Sequence, residues 1–109
     1  MIKEVISREI KKFERKYGKC EHKLENWILT MISGEWIRHI WFHENGEKES
    51  IYNYKKGKKE GKPYWFHENG NREYIGNYKK GKKDGKQLYF LEDGELEREE
   101  FWKDGVRVK

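Results

Sequence analysis

An internal repeat constrains this chain more than any other feature of its sequence. Residues 41–61 read WFHENGEKESIYNYKKGKKEG, residues 65–85 read WFHENGNREYIGNYKKGKKDG, and residues 89–105 read YFLEDGELEREEFWKDG. The dipeptides that mark the three copies stand 24 residues apart; they are Asn45-Gly46, Asn69-Gly70 and Asp93-Gly94. A fixed period of this length is typical of a chain that stacks one small structural unit several times.

Each copy predicts a β-hairpin followed by a longer turn. Asn-Gly or Asp-Gly between β-rich runs is the strongest short-range hairpin signal, because both positions tolerate positive φ. Glycines also punctuate the longer turns. Hairpins joined in this way form an antiparallel meander, and we expect about seven strands in one twisted sheet.

The N-terminal segment lies outside the repeats and predicts an amphipathic helix, residues 1–18. Its apolar residues follow steps of three and four, which place them on one helical face; they are Ile2, Val5, Ile6, Ile10, Phe13 and Tyr17. Gly18 follows in the position where a left-handed residue ends a helix. We expect this helix to pack its apolar stripe on the sheet.

A single domain accommodates all of these elements. After the helix, residues 24–43 predict a degenerate first hairpin around a Ser33-Gly34 turn, and residues 41–105 hold the hairpin repeats. The predicted fold class is therefore mainly β, an antiparallel meander of tandem hairpin repeats with one N-terminal α-helix.

Composition indicates an ordered, intracellular chain. Charged residues make up 41% of the 109 residues, but aromatic residues make up 16%, which disordered segments do not show. Cys20 is the only cysteine, so no internal disulfide forms, and a reducing compartment is expected. Because no apolar run resembles a signal peptide or a membrane span, we expect a cytoplasmic protein.

Aromatic residues recur in the repeat register and predict ladders of rings. Residues 24 apart fall on the same face of neighbouring units. One face is expected to hold Phe42, Phe66 and Phe90. The candidate partner-binding aromatic residues are Trp41, Trp65, Tyr89, Tyr54, Tyr78 and Trp102. Exposed aromatic rows are surfaces where partners bind.

Charge is sorted by turn type. The tight turns carry acids and no lysine or arginine, whereas the long turns are rich in lysine and lie along the opposite edge of a meander. We call the long-turn lysines the basic rim; they are Lys55, Lys56, Lys58, Lys59, Lys79, Lys80, Lys82 and Lys83. Such a rim either contacts phosphates or an acidic protein surface, or only keeps the sheet edge soluble.

The sequence contains no recognisable catalytic, metal-binding or cofactor-binding motif. His43 and His67 occupy equivalent repeat positions, but two imidazoles without further ligands make a poor metal site. Cys20 has no nearby histidine at a catalytic spacing. We therefore expect a protein that is not an enzyme and has no cofactor.

The repeat closely resembles the MORN-repeat variant of the YwqK-type antitoxin family. The resemblance lies in the order strand, ENG, strand and Y-K-x-G-K-x-x-G, and it covers residues 36–105. The chain departs from the family pattern at His39, Pro63 and Gln87, where tryptophan is common. The resemblance implies tandem β-hairpins and a non-catalytic antitoxin or interaction module.

Two classes of function follow. In the first, the chain is an antitoxin-like inhibitor that binds another protein, a toxin or a nuclease-type effector, through its aromatic face. In the second, the basic rim binds nucleic acid or anionic lipid. An inhibitor of a nucleic-acid-handling nuclease, as an anti-CRISPR protein is, combines both. The oligomeric state and the sheet face covered by the helix are left open.

Overall fold

The computed structural model describes residues 2–109 and confirms the predicted fold class. Met1, which the predicted segment 1–18 included, and the side chain of Ile2 lie outside this description. The described residues form one helix and twelve strands: α1 Ile2–Tyr17, β1 Glu21–Glu25, β2 Ile28–Ser33, β3 Trp36–Phe42, β4 Lys48–Lys55, β5 Lys58–Lys59, β6 Tyr64–Phe66, β7 Arg72–Ile75, β8 Tyr78–Lys79, β9 Lys82–Lys83, β10 Gly85–Phe90, β11 Leu96–Lys103 and β12 Val106–Arg107.

The strands form an antiparallel meander. The main sheet runs in the order β1-β2-β3-β4-β6-β7-β10-β11-β12, with β5 paired to β4, so strands follow one another in space as in sequence. The short strands β8 and β9 pair with each other in the long turn of the next repeat. Short connections between successive antiparallel strands require no crossover, as expected for hairpin repeats.

The strand number exceeds the expected seven for two reasons. The first arm of the hairpin predicted at residues 24–43 is divided by a turn at Asn26 and Trp27, whose φ angles are 50° and 64°. This turn creates β1, which adds a hairpin at the N-terminal edge of the sheet. In addition, the long turns fold back into two-residue strand pairs instead of staying irregular.

Helix α1 covers one face of the first strands. It ends as predicted at Gly18, where φ is 89° and the backbone N–H donates to the Glu14 carbonyl at 2.8 Å. Phe13 on α1 is fully buried, and each fully buried large apolar side chain contributes about 1.5–3 kcal/mol. The buried core consists of Phe13, Leu29, Met31, Ile40, Phe42 and Ile51.

The tight-turn edge is held together by side chains that recur every 24 residues. His43 Nε2 donates to the Phe66 carbonyl at 3.0 Å, and His67 Nε2 donates to the Phe90 carbonyl at 3.0 Å. The asparagine of each of these tight turns also donates to a backbone carbonyl of the next tight turn, at 3.1 and 2.9 Å. The repeated histidines therefore join neighbouring repeats.

The long-turn edge is joined through the backbone. Gly81 N–H donates to the Lys59 carbonyl, and Gly105 N–H donates to the Lys83 carbonyl, both at 2.9 Å. The tight turns and the long turns thus lie at opposite ends of the strands, which keeps acidic and basic turns apart, as predicted. Asp104 takes the position that lysine holds in the two preceding long turns.

Candidate interaction surface

The sheet face opposite α1, which we call the open face, carries a continuous row of side chains. Strand alternation decides this placement, because Ile40 and Phe42 pack toward α1 and Trp41 between them points away. The strand register continues the row across six strands as Trp41, Ser50, Trp65, Tyr74, Tyr89 and Arg98. Ser50, which is small and buried, stands between the two tryptophans in this row.

Aromatic contacts connect this row. The ring of Tyr74 lies 5.0 Å from those of Trp65 and Tyr89, measured between centroids. The Arg98 guanidinium stacks over Tyr89 at 3.9 Å from the centroid. Tyr52 on β4 lies beside this row and links the two tryptophans. Its ring lies 6.1 Å from that of Trp41 between centroids, and its hydroxyl accepts the Trp65 N–H at 2.6 Å.

The predicted ladders therefore pass through residues that sequence analysis did not select. Rings 24 residues apart are separated by two strand spacings, about 9.6 Å, so contact between them runs through Tyr52 and Tyr74 on the returning strands. The sequence did contain a signal for Tyr74, because a hairpin with its tight turn at Asn69-Gly70 places Tyr74 across from Trp65.

A second row holds the three positions where the family pattern is broken. His39, Pro63 and Gln87 stand 24 residues apart, and Gln87 is fully buried. Its side-chain carbonyl accepts the Tyr74 hydroxyl, and its amide donates to the Asn77 carbonyl at 2.9 Å. Burial of Tyr74 raises the pKa of its hydroxyl, which remains protonated and donates.

Near the long turns, the open face brings aromatic residues and rim lysines together. Lys59 Nζ lies 4.6 Å from the Tyr52 ring centroid and 5.3 Å from that of Tyr78. Lys83 Nζ lies 4.6 Å from the Trp102 ring centroid. These two lysines bend onto the open face and are half-buried there. Cation–π attraction of this kind contributes about 0.5–1 kcal/mol each at exposed sites.

All six aromatic residues selected from the sequence thus lie on the open face. Trp65 is the most exposed of them, with 38% of its surface accessible, and the other five are half-buried. The face also holds a carboxylate that was not predicted to belong to it. Glu100 is buried, and it accepts the Trp102 N–H at 3.0 Å and the Arg98 Nε–H at 3.3 Å.

The other rim lysines project into solvent with little compensation. Within residues 2–109, no carboxylate lies within ion-pair distance of five of them; these are Lys55, Lys58, Lys79, Lys80 and Lys82. The acids of the two long turns accept backbone N–H groups instead, Glu60 from Lys80 at 3.0 Å and Asp84 from Asp104 at 3.2 Å. That backbone hydrogen bond lowers the pKa of the Asp84 carboxyl.

An open depression of about 630 Å³ lies at the N-terminal end of the open face. Ile28, Ile32 and Trp41 supply its apolar lining, and Thr30 and His39 supply polar groups. The Thr30 hydroxyl lies 2.9 Å from His39 Nδ1. Burial lowers the pKa of His39, which favours the neutral imidazole.

The structure offers few groups for catalysis or metal binding. No set of three His, Cys, Asp or Glu side chains in residues 2–109 is arranged to hold a metal ion. The Cys20 thiol lies 3.8 Å from Glu14 Oε2. Burial and the Glu14 carboxylate raise the pKa of Cys20, so the reactive thiolate is disfavoured. No helix in this range is long and apolar enough to cross a membrane.

Stacked hairpins, inter-repeat hydrogen bonds and a laddered face define this chain as a β-hairpin repeat protein, a repeat-based binding module. It belongs to the MORN repeat variant family, which matches residues 38–56, 59–80 and 83–104, together more than half of the chain. The MORN repeat family is generally non-enzymatic. The narrower assignment to YwqK-type antitoxins stays a prediction. No curated protein matches the sequence significantly.

Among solved structures, the fold is similar to part of TarM. The likeness to the crystal structure of TarM has a TM-score of 0.52 at 9% identity and covers 94% of this chain and 23% of that one. An S. aureus TarM mutant in complex with Fondaparinux, alpha-GlcNAc-glycerol and UDP matches with a TM-score of 0.47, 9% identity, and coverage of 94% and 24%. This chain therefore spans about a quarter of the proteins it matches, and the likeness concerns the fold alone.

Proposed function

We propose that this chain is a non-enzymatic, antitoxin-like inhibitor that binds another protein through its open face. The observation that carries the proposal is the aromatic ladder from Trp41 to Tyr89, bordered by long-turn lysines of which most have no carboxylate within ion-pair distance. Aromatic residues and arginine are enriched among the side chains that dominate protein interfaces. A rigid ladder loses little conformational entropy on binding, because its rings already contact one another.

The partner is expected to present an acidic or nucleic-acid-mimicking rim beside an apolar patch. Trp65 is the anchor, since it is the most exposed ring of the ladder. The basic rim steers the partner during encounter, because a row of positive charges attracts an oppositely charged partner and so raises the association rate. A toxin or a nuclease-type effector fits this description, and the bound module blocks its working surface as an antitoxin or an anti-CRISPR protein would. We place this action in the cytoplasm, where the thiol of Cys20 stays reduced.

Site-specific crosslinking in the native host tests this proposal. A photoreactive amino acid at position 65 should capture one protein in stoichiometric amount, whereas the same group at position 11, on the exposed side of α1, should not. Trp65→Ala should abolish co-purification of that protein, and Lys11→Ala should leave it unchanged. Equal capture from both positions, or none at position 65, would sink the proposal.

The five rim lysines that have no carboxylate within ion-pair distance favour a second candidate, direct binding of an anionic polymer or an anionic lipid surface. Lysine clusters bind phosphates with a steep salt dependence, because binding releases counterions. Reversing Lys55, Lys56, Lys79 and Lys80 to glutamate should then abolish binding of a short RNA, a DNA duplex or vesicles containing phosphatidylserine. If that variant still captures the protein partner, the rim is dispensable for inhibition.

A further inference from the structure

The face that carries α1, which we call the helix side, is covered over only part of its width. One cross-strand row there runs through Leu29, Ile40, Ile51, Tyr64, Ile75 and Leu88. The first three are buried beneath α1, and the last three are half-buried. The sheet therefore continues its apolar surface beyond the helix that covers it.

The repeat explains why this surface exists. Ile40 and Phe42 lie under α1, and the residues 24 positions later, Tyr64 and Phe66, lie at the margin of the core. A further repeat on, Leu88 and Phe90 occupy the same positions and are half-buried. Each repeat thus presents the apolar surface on which α1 packs, but the described chain has only one helix to cover it.

The dimensions of the repeat suit a second helix. One repeat advances the sheet by two strands, about 9.6 Å, and packed helices lie about 8–10 Å apart. A helix one repeat further along would contact α1 as well as the sheet. A groove of about 250 Å³ already lies along this boundary, where Glu9 and Lys12 of α1 face Tyr64 and Phe66 of the sheet.

Cations surround the uncovered surface. Lys12, Arg38, Lys48 and Lys62 line the groove. Lys86 lies beyond it on the same side of the sheet, where it pairs with Glu99 at 3.8 Å. The groove's one acid, Glu9, is buried and is already paired with Lys48 at 3.0 Å. The groove is therefore positively charged, with four cations against one acid, and an occupant needs acidic residues beside its apolar stripe.

We infer that the helix side beyond α1 docks an amphipathic, acidic helix of a partner protein. A second copy of this chain is disfavoured as the occupant, because the solvent side of its own helix carries Arg8, Lys11 and Arg15 and would repel the same cations. The site lies on the opposite side of the sheet from the open face. It is therefore independent of the proposed inhibitory surface.

A synthetic peptide tests this site directly. The probe is an amphipathic peptide of about 18 residues, long enough to form a helix on docking, with leucines on one face and glutamates beside them. Titration into the full-length labelled protein should shift the methyl resonances of Ile75 and Leu88, and peptide helicity should rise. A peptide with lysine in place of every glutamate should bind at least about tenfold more weakly.

Charge reversal supplies the decisive variant, because exposed lysines can be changed without loss of fold. Lys62→Glu combined with Lys86→Glu should weaken the acidic peptide about tenfold and bring the lysine peptide into the same site. The matched control, Lys11→Glu with Lys19→Glu, makes the same change in net charge elsewhere and should leave the preference unaltered. Equal binding of both peptides, shifts confined to the open face, or self-association in sedimentation that the Lys62/Lys86 variant abolishes would each overturn the inference.

Discussion

The indole N–H of Trp65 donates to the hydroxyl of Tyr52 at 2.6 Å, which joins β6 to β4 across the open face. This bond fixes the most exposed ring of the ladder in one orientation. Burial raises the pKa of Tyr52, so the hydroxyl is neutral and can accept the bond over the physiological range. The candidate interaction surface is therefore ordered before any partner arrives.

Trp65→Phe should lower the free energy of unfolding by about 1 kcal/mol, because the ring contact with Tyr74 survives and one hydrogen bond is lost. Tyr52→Phe should cost a similar amount. The double variant should cost little more than either single one, since both remove the same bond. Urea unfolding followed by far-ultraviolet circular dichroism measures all three. Strictly additive losses would show that the two groups do not interact in solution.

Gly76→Ala should destabilise the fold by about 1–3 kcal/mol through overpacking. A Cβ at this position would overlap the Tyr74 hydroxyl oxygen and lie 2.7 Å from Gln87 Oε1. The matched control is Gly46→Ala, where the added Cβ meets nothing and only the φ of +89° is unfavourable. Tyr74→Phe should recover part of the loss in the Gly76→Ala background. No difference in urea midpoint between Gly76→Ala and wild type would contradict the packing described for this row.

His67→Ala should reduce stability by about 1–3 kcal/mol, because the Phe90 carbonyl loses its donor at the boundary between two repeats. His22→Ala is the control, since His22 is exposed on the edge strand β1. Hydrogen exchange should show faster opening of β10 and β11 in the His67 variant but not in the control. If the two variants are equally stable, the histidine does not join the repeats.

Acid should destabilise the protein through Glu100. Hydrogen bonding from Trp102, supported by Arg98 and Arg107, lowers the pKa of the Glu100 carboxyl in the folded state. The ionised group therefore stabilises the fold above its unfolded pKa of about 4.3, and this contribution disappears as pH falls through the lower folded value.

The Glu100→Gln variant should accordingly be less stable than wild type at about pH 7 but should lose less stability between about pH 5 and about pH 3. Thermal unfolding over this range provides the comparison. Glu97→Gln, in the same strand but exposed, should lose as much stability as wild type when the pH falls. If wild type and Glu100→Gln lose the same amount of stability as the pH falls, Glu100 is not the cause of the acid destabilisation.

Local sequence signals predicted most elements of the fold. The spacing of apolar residues and Gly18 define α1, and Asn69-Gly70 defines a tight turn, because these signals act between residues close in the chain. The turn at Asn26 and Trp27 was not predicted, since a tryptophan at positive φ has no clear local signature. The binding roles of the selected aromatic residues and of the basic rim stay predictions.

The sequence by itself determined the period, the order of strands and turns, and the separation of acidic from basic edges, since each depends on residue type at a fixed spacing. Only the tertiary structure decided which face α1 covers, because both faces are aromatic and alternation cannot tell them apart. It also decided that Tyr74 and Gln87 form a buried pair and that Trp65 reaches Tyr52. Those contacts depend on strand register and side-chain direction across several strands, which no short stretch of sequence specifies.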